Sequence, residues 1–386
     1  MKRIPGIDFT RGTVMIIMAL DHVRDLLHVN GLTQSPTDLT TTTPQLFFTR
    51  WITHLCAPIF VFLSGTSAFL SLSSSKDVGR SRRFLWKRGL YLILLEFTLV
   101  NFGLYFDPGF HTFIFEVIGA IGFGFILLSL MSRLSTKAIA IVGLVILFCH
   151  NLFVLVPFGE DSIARAILSP FFGPGAFPVF GRTLIIAYPP IPWLGIMLVG
   201  FAAGKCFEWE GQERKKMFVR LGCAGLLLFV LIRFVNVYGD PVPWSSQKNA
   251  LYTFLSFMNI TKYPPSLLFC LATLGIMFFI LAFAENAAGR LSRIVCRYGK
   301  VPLFYFLLHF YLIHLIMFGV LLAQGITWEQ MDVASGNFGR PVDIRNGLAL
   351  WQVYLVWVIV VALLYKPCCW YGRYKATHQH WWLKFL

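Results

Sequence analysis

The stretch IDFTRGTVMIIMALDHVRDLLH, Ile7 to His28, combines an apolar centre with charged flanks, and it decides how the rest of the chain is interpreted. Its middle, Thr13 to Leu20, is apolar enough to lie within a membrane. The polar residues around that centre are Asp8, Arg11, Asp21, His22, Arg24 and Asp25. Charged side chains are costly inside a membrane, so they usually face a bundle interior or a water-filled cavity. The stretch therefore predicts a membrane-spanning helix with a functional polar face.

Arg11 and His22 are predicted to share that face. They are eleven residues apart, which is close to three helical turns at about 100° per residue and places them about 16 Å apart along the axis. The helix thus offers a permanent cation near one membrane surface and a titratable nucleophile or base near the other. This arrangement suits transfer from an acyl-CoA on one side to an acceptor on the other.

Composition and length define the fold class. The chain has 386 residues, of which 57% are hydrophobic and 13% are charged, whereas soluble domains have about 25% charged residues. We predict an all-α, polytopic integral membrane bundle of about ten transmembrane helices. It forms one domain, 1–386, and ends in a cytoplasmic amphipathic tail, 367–386. The predicted spans are 9–28, 52–73, 89–107, 111–131, 138–157, 189–208, 217–238, 265–284, 301–322 and 347–366.

The distribution of basic residues predicts the orientation in the membrane. Of 33 Lys and Arg, 23 fall in segments on the side of the N-terminus, seven on the opposite side and three within spans. Basic residues concentrate in cytoplasmic loops, so both termini are predicted to be cytoplasmic. The net charge of +15 is then explained by topology and by membrane lipid beside the basic loops, and no nucleic-acid partner is predicted. An oligomer is compatible with the sequence.

Recognisable metal and nucleotide motifs are missing from the sequence. There is no HExxH, CxxC pair, P-loop or GxSxG, so we predict neither a metal nor nucleotide hydrolysis. None of the eight cysteines lies in a predicted outer loop, so no disulfide framework is expected.

Five motifs in order along the chain resemble one family. They are IDFTRG at the start, APIFVFLSGTSAFL at Ala57–Leu70, and the segments Tyr188–Phe207, Lys262–Gly275 and Gly299–His314. Together they resemble the catalytic domain of heparan-alpha-glucosaminide N-acetyltransferase and its bacterial relatives. An arginine followed after ten residues by a histidine also resembles the acyltransferase-3 type of membrane acyltransferase. The resemblance implies a bacterial inner-membrane location.

The resemblance implies transfer of an acyl group, most simply acetyl, from cytoplasmic acetyl-CoA to a sugar hydroxyl or amine at the outer face. Arg11 would bind the CoA phosphates, because a guanidinium binds phosphate bidentately, and Asp8 would hold its geometry. The alternative is a structural Asp8–Arg11 pair. A permease whose buried charges line a transport path and a non-catalytic scaffold are the competing functions.

His22 is the first catalytic candidate, as general base or transient acyl carrier. Asp25, three residues on, is on the right face to orient the imidazole, whereas Asp21 is not. His54 is the second candidate and is predicted in the first turn of the second span. In the animal lysosomal enzyme the proposed acetyl-carrying histidine lies in the first lumenal loop, where this chain has none, so acyl-enzyme and direct transfer both stay open.

Further polar residues are predicted to line the cavity or to hold helices together. They are Asp21, Glu96, Asn101, Glu116, His309 and His314. His309 and His314 are five residues apart, so they do not share a helix face. Outside the spans, 29–51 is predicted to be a mobile lid or a simple connector, and 158–188 a re-entrant or interfacial loop. The aromatic and basic residues of 239–264 are interpreted as interfacial anchors rather than a sugar-binding surface.

Overall fold

The structure, a computed structural model, describes residues 4–75, 77–155 and 163–385. Helices make up 71% of it. They are α1 Pro5–Leu27, α2 Pro44–Thr53, α3 Cys56–Ser73, α4 Val78–Leu95, α5 Asn101–Tyr105, α6 Val117–Met131, α7 Thr136–Cys149, α8 Ile163–Phe172, α9 Pro190–Ala203, α10 Gly211–Val235, α11 Ala250–Met258, α12 Leu267–Ala284, α13 Arg290–Gly299, α14 Pro302–Ala323 and α15 Leu350–Thr377. A π-helical turn, Glu96–Val100, joins α4 to α5. The predicted all-α membrane bundle is confirmed.

Seven helical segments in these described ranges are long and apolar enough to cross a membrane. They are Pro44–Ser73, Thr136–Phe153, Pro190–Glu208, Gly211–Val235, Leu267–Ala284, Pro302–Ala323 and Leu350–Thr377. The other three predicted spans correspond to α1, to α4 with α5, and to α6. Of these, α1 and α4 carry several charges, and α6 has 15 residues. The number ten therefore stays a prediction.

The second span and the last helix differ from their predicted bounds. The second span begins at Pro44 rather than near 52, because proline suits the first helical position and Thr43 accepts a hydrogen bond from the Leu46 N–H at 3.3 Å. The last helix runs on to Thr377, so 367–377 of the predicted tail belong to α15. Packing explains the extension, since the Tyr371 ring stacks on another helix at 4.2 Å from Phe304.

A three-stranded sheet was not predicted. Strands β1 Thr112–Phe115, β2 Gly175–Val179 and β3 Arg182–Ile186 pair in the order β1-β3-β2, with β1 and β3 parallel. The fourth predicted span therefore begins with a strand, in keeping with the strand preference of its Thr, Phe and Ile residues. The segment 158–188, predicted to be a re-entrant or interfacial loop, contains α8 and the β2–β3 hairpin, and its residues 158–162 lie outside the described residues.

Long loops meet at one end of the bundle, which we call the loop end. The Asn259 amide donates to the Thr37 carbonyl at 3.1 Å, which joins the first loop to the 239–264 loop. Arg340 is buried and donates to the carbonyl oxygens of Leu26 and His28 at 3.0 and 3.1 Å. The loop predicted as a lid or connector is thus tied to its neighbours at several points.

The start of α1 and the end of α15 lie at the opposite end, where α1 crosses α13 closely. A Cβ added at Gly299 would lie 1.8 Å from the Asp8 carbonyl oxygen, and one at Gly12 would lie 2.0 Å from the Val295 carbonyl oxygen. Helices α3 and α9 also cross closely, because a Cβ at Gly65 would lie 2.0 Å from the Met197 carbonyl oxygen. Backbone-to-backbone contact of this kind fixes α1, and with it the polar face.

Gly299→Ala is expected to destabilise the fold by about 1–3 kcal/mol, the usual cost of overpacking, because α13 must move away from α1. Thermal unfolding of the detergent-purified variant measures this. Gly319→Ala is the matched control, since a Cβ there meets nothing within 4 Å, and it should be neutral or slightly stabilising. Equal unfolding temperatures for the two variants would contradict the close crossing.

Candidate functional site

A central cavity of about 260 Å³ lies between α1, α3, α6, α14 and the loops before α9 and α12. Its polar lining combines three carboxylates, a histidine, a lysine and two tyrosines. These are Asp21, Asp25, Glu116, His22, Lys262, Tyr188 and Tyr263. Apolar residues complete the wall, so the cavity joins a few convergent polar groups to a hydrophobic lining, as binding sites usually do.

The sheet and its neighbours place Glu116 and Tyr188 in this cavity. Glu116 follows β1 directly, and the Tyr188 N–H donates to the Phe115 carbonyl at 3.1 Å. The Lys262 ammonium lies 5.7 Å from the centre of the Tyr188 ring and 4.9 Å from that of Tyr263. The contacts of Tyr188 with Phe115 and with Lys262 are long-range in the sequence. They correct the interpretation of Lys262 and Tyr263 as interfacial anchors, because both residues line the cavity.

His22 faces the central cavity from α1 and is held by aromatic contacts. Its ring centre lies 4.3 Å from that of Phe310 and 5.0 Å from that of His309. The expected hydrogen bond from the His22 imidazole to the Asp25 carboxylate does not form in the part of the chain that the structure describes. Asp25 accepts instead from the guanidinium of Arg24. Packing against α14, rather than a carboxylate, therefore orients the imidazole.

Asp21 forms a buried ion cluster beside His22. Its carboxylate accepts from Arg50 at 2.6 Å and from Arg24 at 2.8 Å, and it also accepts from the Thr53 hydroxyl at 2.8 Å. Two cations and a hydroxyl satisfy this carboxylate, which joins α1 to α2. Asp21 thus lines the cavity as a structural anchor and holds the end of α1 that carries His22.

A second cavity, of about 150 Å³, adjoins the first, and we call it the arginine cavity. Its cations are Arg11 on α1 and Arg88 on α4. Arg11 donates to the Leu63 carbonyl at 3.0 Å and to the Ser67 hydroxyl. The two cavities share three lining residues, Phe60, Val117 and Phe306. The polar face predicted from the Arg11–His22 spacing therefore opens into two neighbouring cavities, one for each residue.

Arg88 was missed in the sequence because it was assigned to a cytoplasmic loop. In the structure α4 begins at Val78, which places Arg88 within the helix. Its guanidinium lies 5.6 Å from the centre of the Phe125 ring. The spacing of Leu85, Arg88 and Leu92, three and four residues apart, is the signal that could have indicated a buried face.

A third cavity, of about 380 Å³, lies at the loop end, and we call it the loop cavity. It shares Asp25, Lys262 and Tyr263 with the central cavity. His54 lines this cavity and not the central one. It lies at the break between α2 and α3, ten residues into the helical segment, rather than in a first turn.

Two further residues predicted to line the cavity, Glu96 and Asn101, form hydrogen bonds with the backbone. The Glu96 carboxylate accepts hydrogen bonds from the N–H of Glu116 and, at 3.1 Å, from the N–H of Gly119. These two bonds cap the start of α6. Asn101 donates to the Thr112 carbonyl and accepts from the Ile114 N–H, each at 3.0 Å, which fixes β1. Neither side chain lines a described cavity. Both support the wall that carries Glu116.

The two histidines of α14 have different surroundings, as their spacing predicted. His309 is buried behind His22, and its Nδ1 lies 3.2 Å from the Tyr305 carbonyl oxygen. His314 Nε2 lies 2.9 Å from the Phe338 carbonyl oxygen, and its ring stacks on Phe106 at 4.2 Å. Neither lines the central cavity. Asp8 is buried as well and lies outside the lining of the arginine cavity.

The apolar helical bundle and its adjoining polar cavities define an integral membrane protein with a polar site in its interior. Residues 3–231 match the family model described as heparan-alpha-glucosaminide N-acetyltransferase, catalytic. This is more than half of the chain, so the protein belongs to that family, and the resemblance seen in the sequence is confirmed. It is therefore a membrane protein of an acetyltransferase family. A search of curated proteins found no match.

Proposed function

We propose that the protein transfers an acetyl group from cytoplasmic acetyl-CoA to a sugar hydroxyl or amine at the outer face of the membrane. One observation carries this proposal. The arginine cavity and the central cavity adjoin at Phe60, Val117 and Phe306, with Arg11 in the first and His22 in the second. A donor held by its phosphates at the arginines would reach His22 with its thioester.

The arginine cavity suits the donor in charge and in size. Arg88 lines this cavity beside Arg11, and its buried Nε has no hydrogen-bond partner among the described residues. Guanidinium groups bind phosphate oxygens bidentately. The volume of about 150 Å³ is below the 300–1,000 Å³ typical of sites for whole drug-sized ligands. It therefore fits the narrow pantetheine arm, and the nucleotide would remain at the mouth.

His22 would act as the general base in the simplest mechanism. The acceptor oxygen or nitrogen attacks the thioester carbonyl while its proton passes to the imidazole of His22. The carbon–sulfur bond then breaks, and the CoA thiolate leaves and takes up that proton. If His22 is instead a transient acyl carrier, its neutral imidazole attacks the thioester carbonyl, the carbon–sulfur bond breaks and the CoA thiolate leaves with the imidazole N–H proton. The acceptor then attacks the acetyl-imidazole carbonyl, the carbon–nitrogen bond breaks, and the proton of the acceptor returns to the imidazole.

The acceptor would approach through the loop cavity, which adjoins the central cavity on the side away from Arg11. His54 would assist there by contacting the acceptor. Asp25 lines both cavities. Its carboxylate would accept hydrogen bonds from the hydroxyl or amine groups of the acceptor sugar rather than orient His22. The tyrosines of the central cavity provide flat apolar faces against which a sugar ring can stack.

Purified protein in liposomes tests this function. Radiolabelled acetyl-CoA and a panel of amino sugars and neutral sugars should yield acetylated product only when both substrates and protein are present. Uptake of a sugar without acetyl-CoA, and no acetylated product, would instead favour the permease.

The proposed direction requires the loop end to face outward. Single cysteines at Gln34 and Gln247 should react with an impermeant thiol reagent in intact cells, and those at Ser75 and Gln212 should not. Asp161, in another loop predicted to be outside, lies outside the described residues. We expect this labelling pattern because basic residues concentrate in cytoplasmic loops, and the loops near Ser75 and Gln212 are on the more basic side. Labelling of a cysteine at position 212 from outside the cell would show that the protein has the opposite orientation in the membrane.

A further inference from the structure

The segment 381–385, which we call the strap, lies between the end of α15 and the side of α4. Its residues Trp381–Lys384 form a short 3-10 helix in which Leu383 is buried. The ring centre of Phe385 lies 5.5 Å from that of Phe84 and 5.3 Å from that of Tyr91, both on α4. Aromatic rings at this separation attract one another, so these contacts dock the strap on α4.

The face of α4 beneath the strap is the face that carries Arg88. Residues 84, 88 and 91 fall within about 60° of one another around the helix, because each residue adds about 100°. Phe84 and Tyr91 therefore lie about one turn before and one turn after Arg88. A displacement of this face would move the guanidinium that lines the arginine cavity.

The other end of the strap is connected to a second wall of the arginine cavity. The Trp382 ring stacks on Tyr374 of α15 at 6.3 Å. About one turn earlier in α15, the Tyr371 ring stacks on Phe304 of α14 at 4.2 Å. Leu303, the neighbour of Phe304, lines the arginine cavity. A series of ring contacts thus joins α14 to α4, and both helices contribute walls of this cavity.

Repulsion between the two arginines opposes the position of α4. Arg11 and Arg88 line one cavity, and like charges repel more strongly where water is excluded. Arg11 is fixed by hydrogen bonds to the Leu63 carbonyl and the Ser67 hydroxyl. Arg88 lies over the Phe125 ring, and its buried Nε has no hydrogen-bond partner among the described residues. Contacts that the strap makes with α4 would offset this repulsion.

We infer that the strap holds Arg88 in position for the donor, and that Phe385 is a positioning residue for the binding of acetyl-CoA. Phe385 acts through α4 and needs no contact with the donor. Loss of its ring would let α4 move outward and would weaken the grip of Arg88 on the phosphates. The inference rests on the proposed function for the identity of the donor, whereas the effect of the strap on α4 does not.

Hydrogen exchange in the absence of acetyl-CoA tests the effect on α4. Phe385→Ala should speed amide exchange in the half of α4 that carries Phe84 and Arg88, because local opening becomes easier. Phe385→Tyr keeps the ring and should exchange like the wild type. Trp86→Ala is the matched control, since Trp86 is on α4 but is 45% exposed and about 200° from Phe84 around the helix. Equal exchange in the wild type and Phe385→Ala would overturn the inference.

A double-mutant cycle tests whether the strap acts through Arg88. Phe385→Ala should weaken acetyl-CoA binding about two- to tenfold, the factor that one aromatic pair provides. The rate at saturating acetyl-CoA should stay near the wild-type value, and Phe385→Tyr should restore the affinity. In the Arg88→Gln background, Phe385→Ala should cost little further affinity. An equal loss in both backgrounds would show a general effect on the fold and overturn the inference.

The two measurements separate the strap from the reaction. Affinity that falls in Arg88→Gln and not in Phe385→Ala would overturn the inference alone. Unchanged affinity in Arg88→Gln, together with faster exchange of α4 in Phe385→Ala, would overturn the donor site of the proposed function. The role of Phe385 in donor binding would then be lost as well, and the effect of the strap on α4 would stand.

Discussion

His22→Ala is expected to abolish acetyl transfer while leaving acetyl-CoA binding largely unchanged. His22 faces the central cavity, whereas the donor phosphates are expected about 16 Å away along α1, at Arg11. Loss of a general base costs about 10²–10⁴-fold in rate. Initial rates with labelled acetyl-CoA and calorimetric binding of acetyl-CoA measure the two properties separately. His54→Ala should cost less, because His54 lines the loop cavity alone.

His111→Ala is the control for this experiment. Its side chain is 61% exposed and lies beside Asp107, away from every described cavity. It should retain wild-type activity.

Incubation of wild type with labelled acetyl-CoA and no acceptor distinguishes the two roles of His22. Label retained on the protein, and lost in His22→Ala, indicates a carrier, whereas no label indicates a base. Full activity in His22→Ala would exclude His22 from the mechanism.

The second large effect is expected on the affinity for acetyl-CoA, when the cations of the arginine cavity are substituted. Arg11→Lys keeps the charge and loses the bidentate fork, and Arg88→Gln loses the charge, so each should weaken acetyl-CoA binding about tenfold or more. The double variant should lose more than either single one. Arg80→Gln is the control, because Arg80 is exposed near the start of the same helix. Unchanged affinity in Arg11→Lys and Arg88→Gln would show that the phosphates bind elsewhere.

Sequence reasoning worked best where the signal is local. The spacing of Arg11 and His22 on one helix predicts a shared face, because helix geometry relates residues eleven apart without any knowledge of the fold, and the two residues line adjoining cavities. The apolar composition was sufficient for the all-α membrane class. What the residues do chemically stays a prediction until variants are measured.

The rest of the site depends on contacts between distant segments. Glu116 and Tyr188 meet through a small sheet whose parallel pair joins strands about 70 residues apart in the sequence. Lys262 reaches the cavity from a loop that looked like an interfacial anchor. Glu96 and Asn101 had the polarity of cavity residues, but the backbone of α6 and β1 uses their hydrogen bonds. No periodicity in the sequence distinguishes a polar side chain that caps a helix from one that binds a ligand.

The central claim is that one donor molecule occupies both adjoining cavities. Electron cryomicroscopy of the purified protein with coenzyme A tests it most directly. We predict density with the phosphates beside Arg11 and Arg88, the pantetheine arm passing between Phe60, Val117 and Phe306, and the sulfur in the central cavity near His22. Density that places the sulfur outside the central cavity, or the phosphates away from both arginines, would contradict the account.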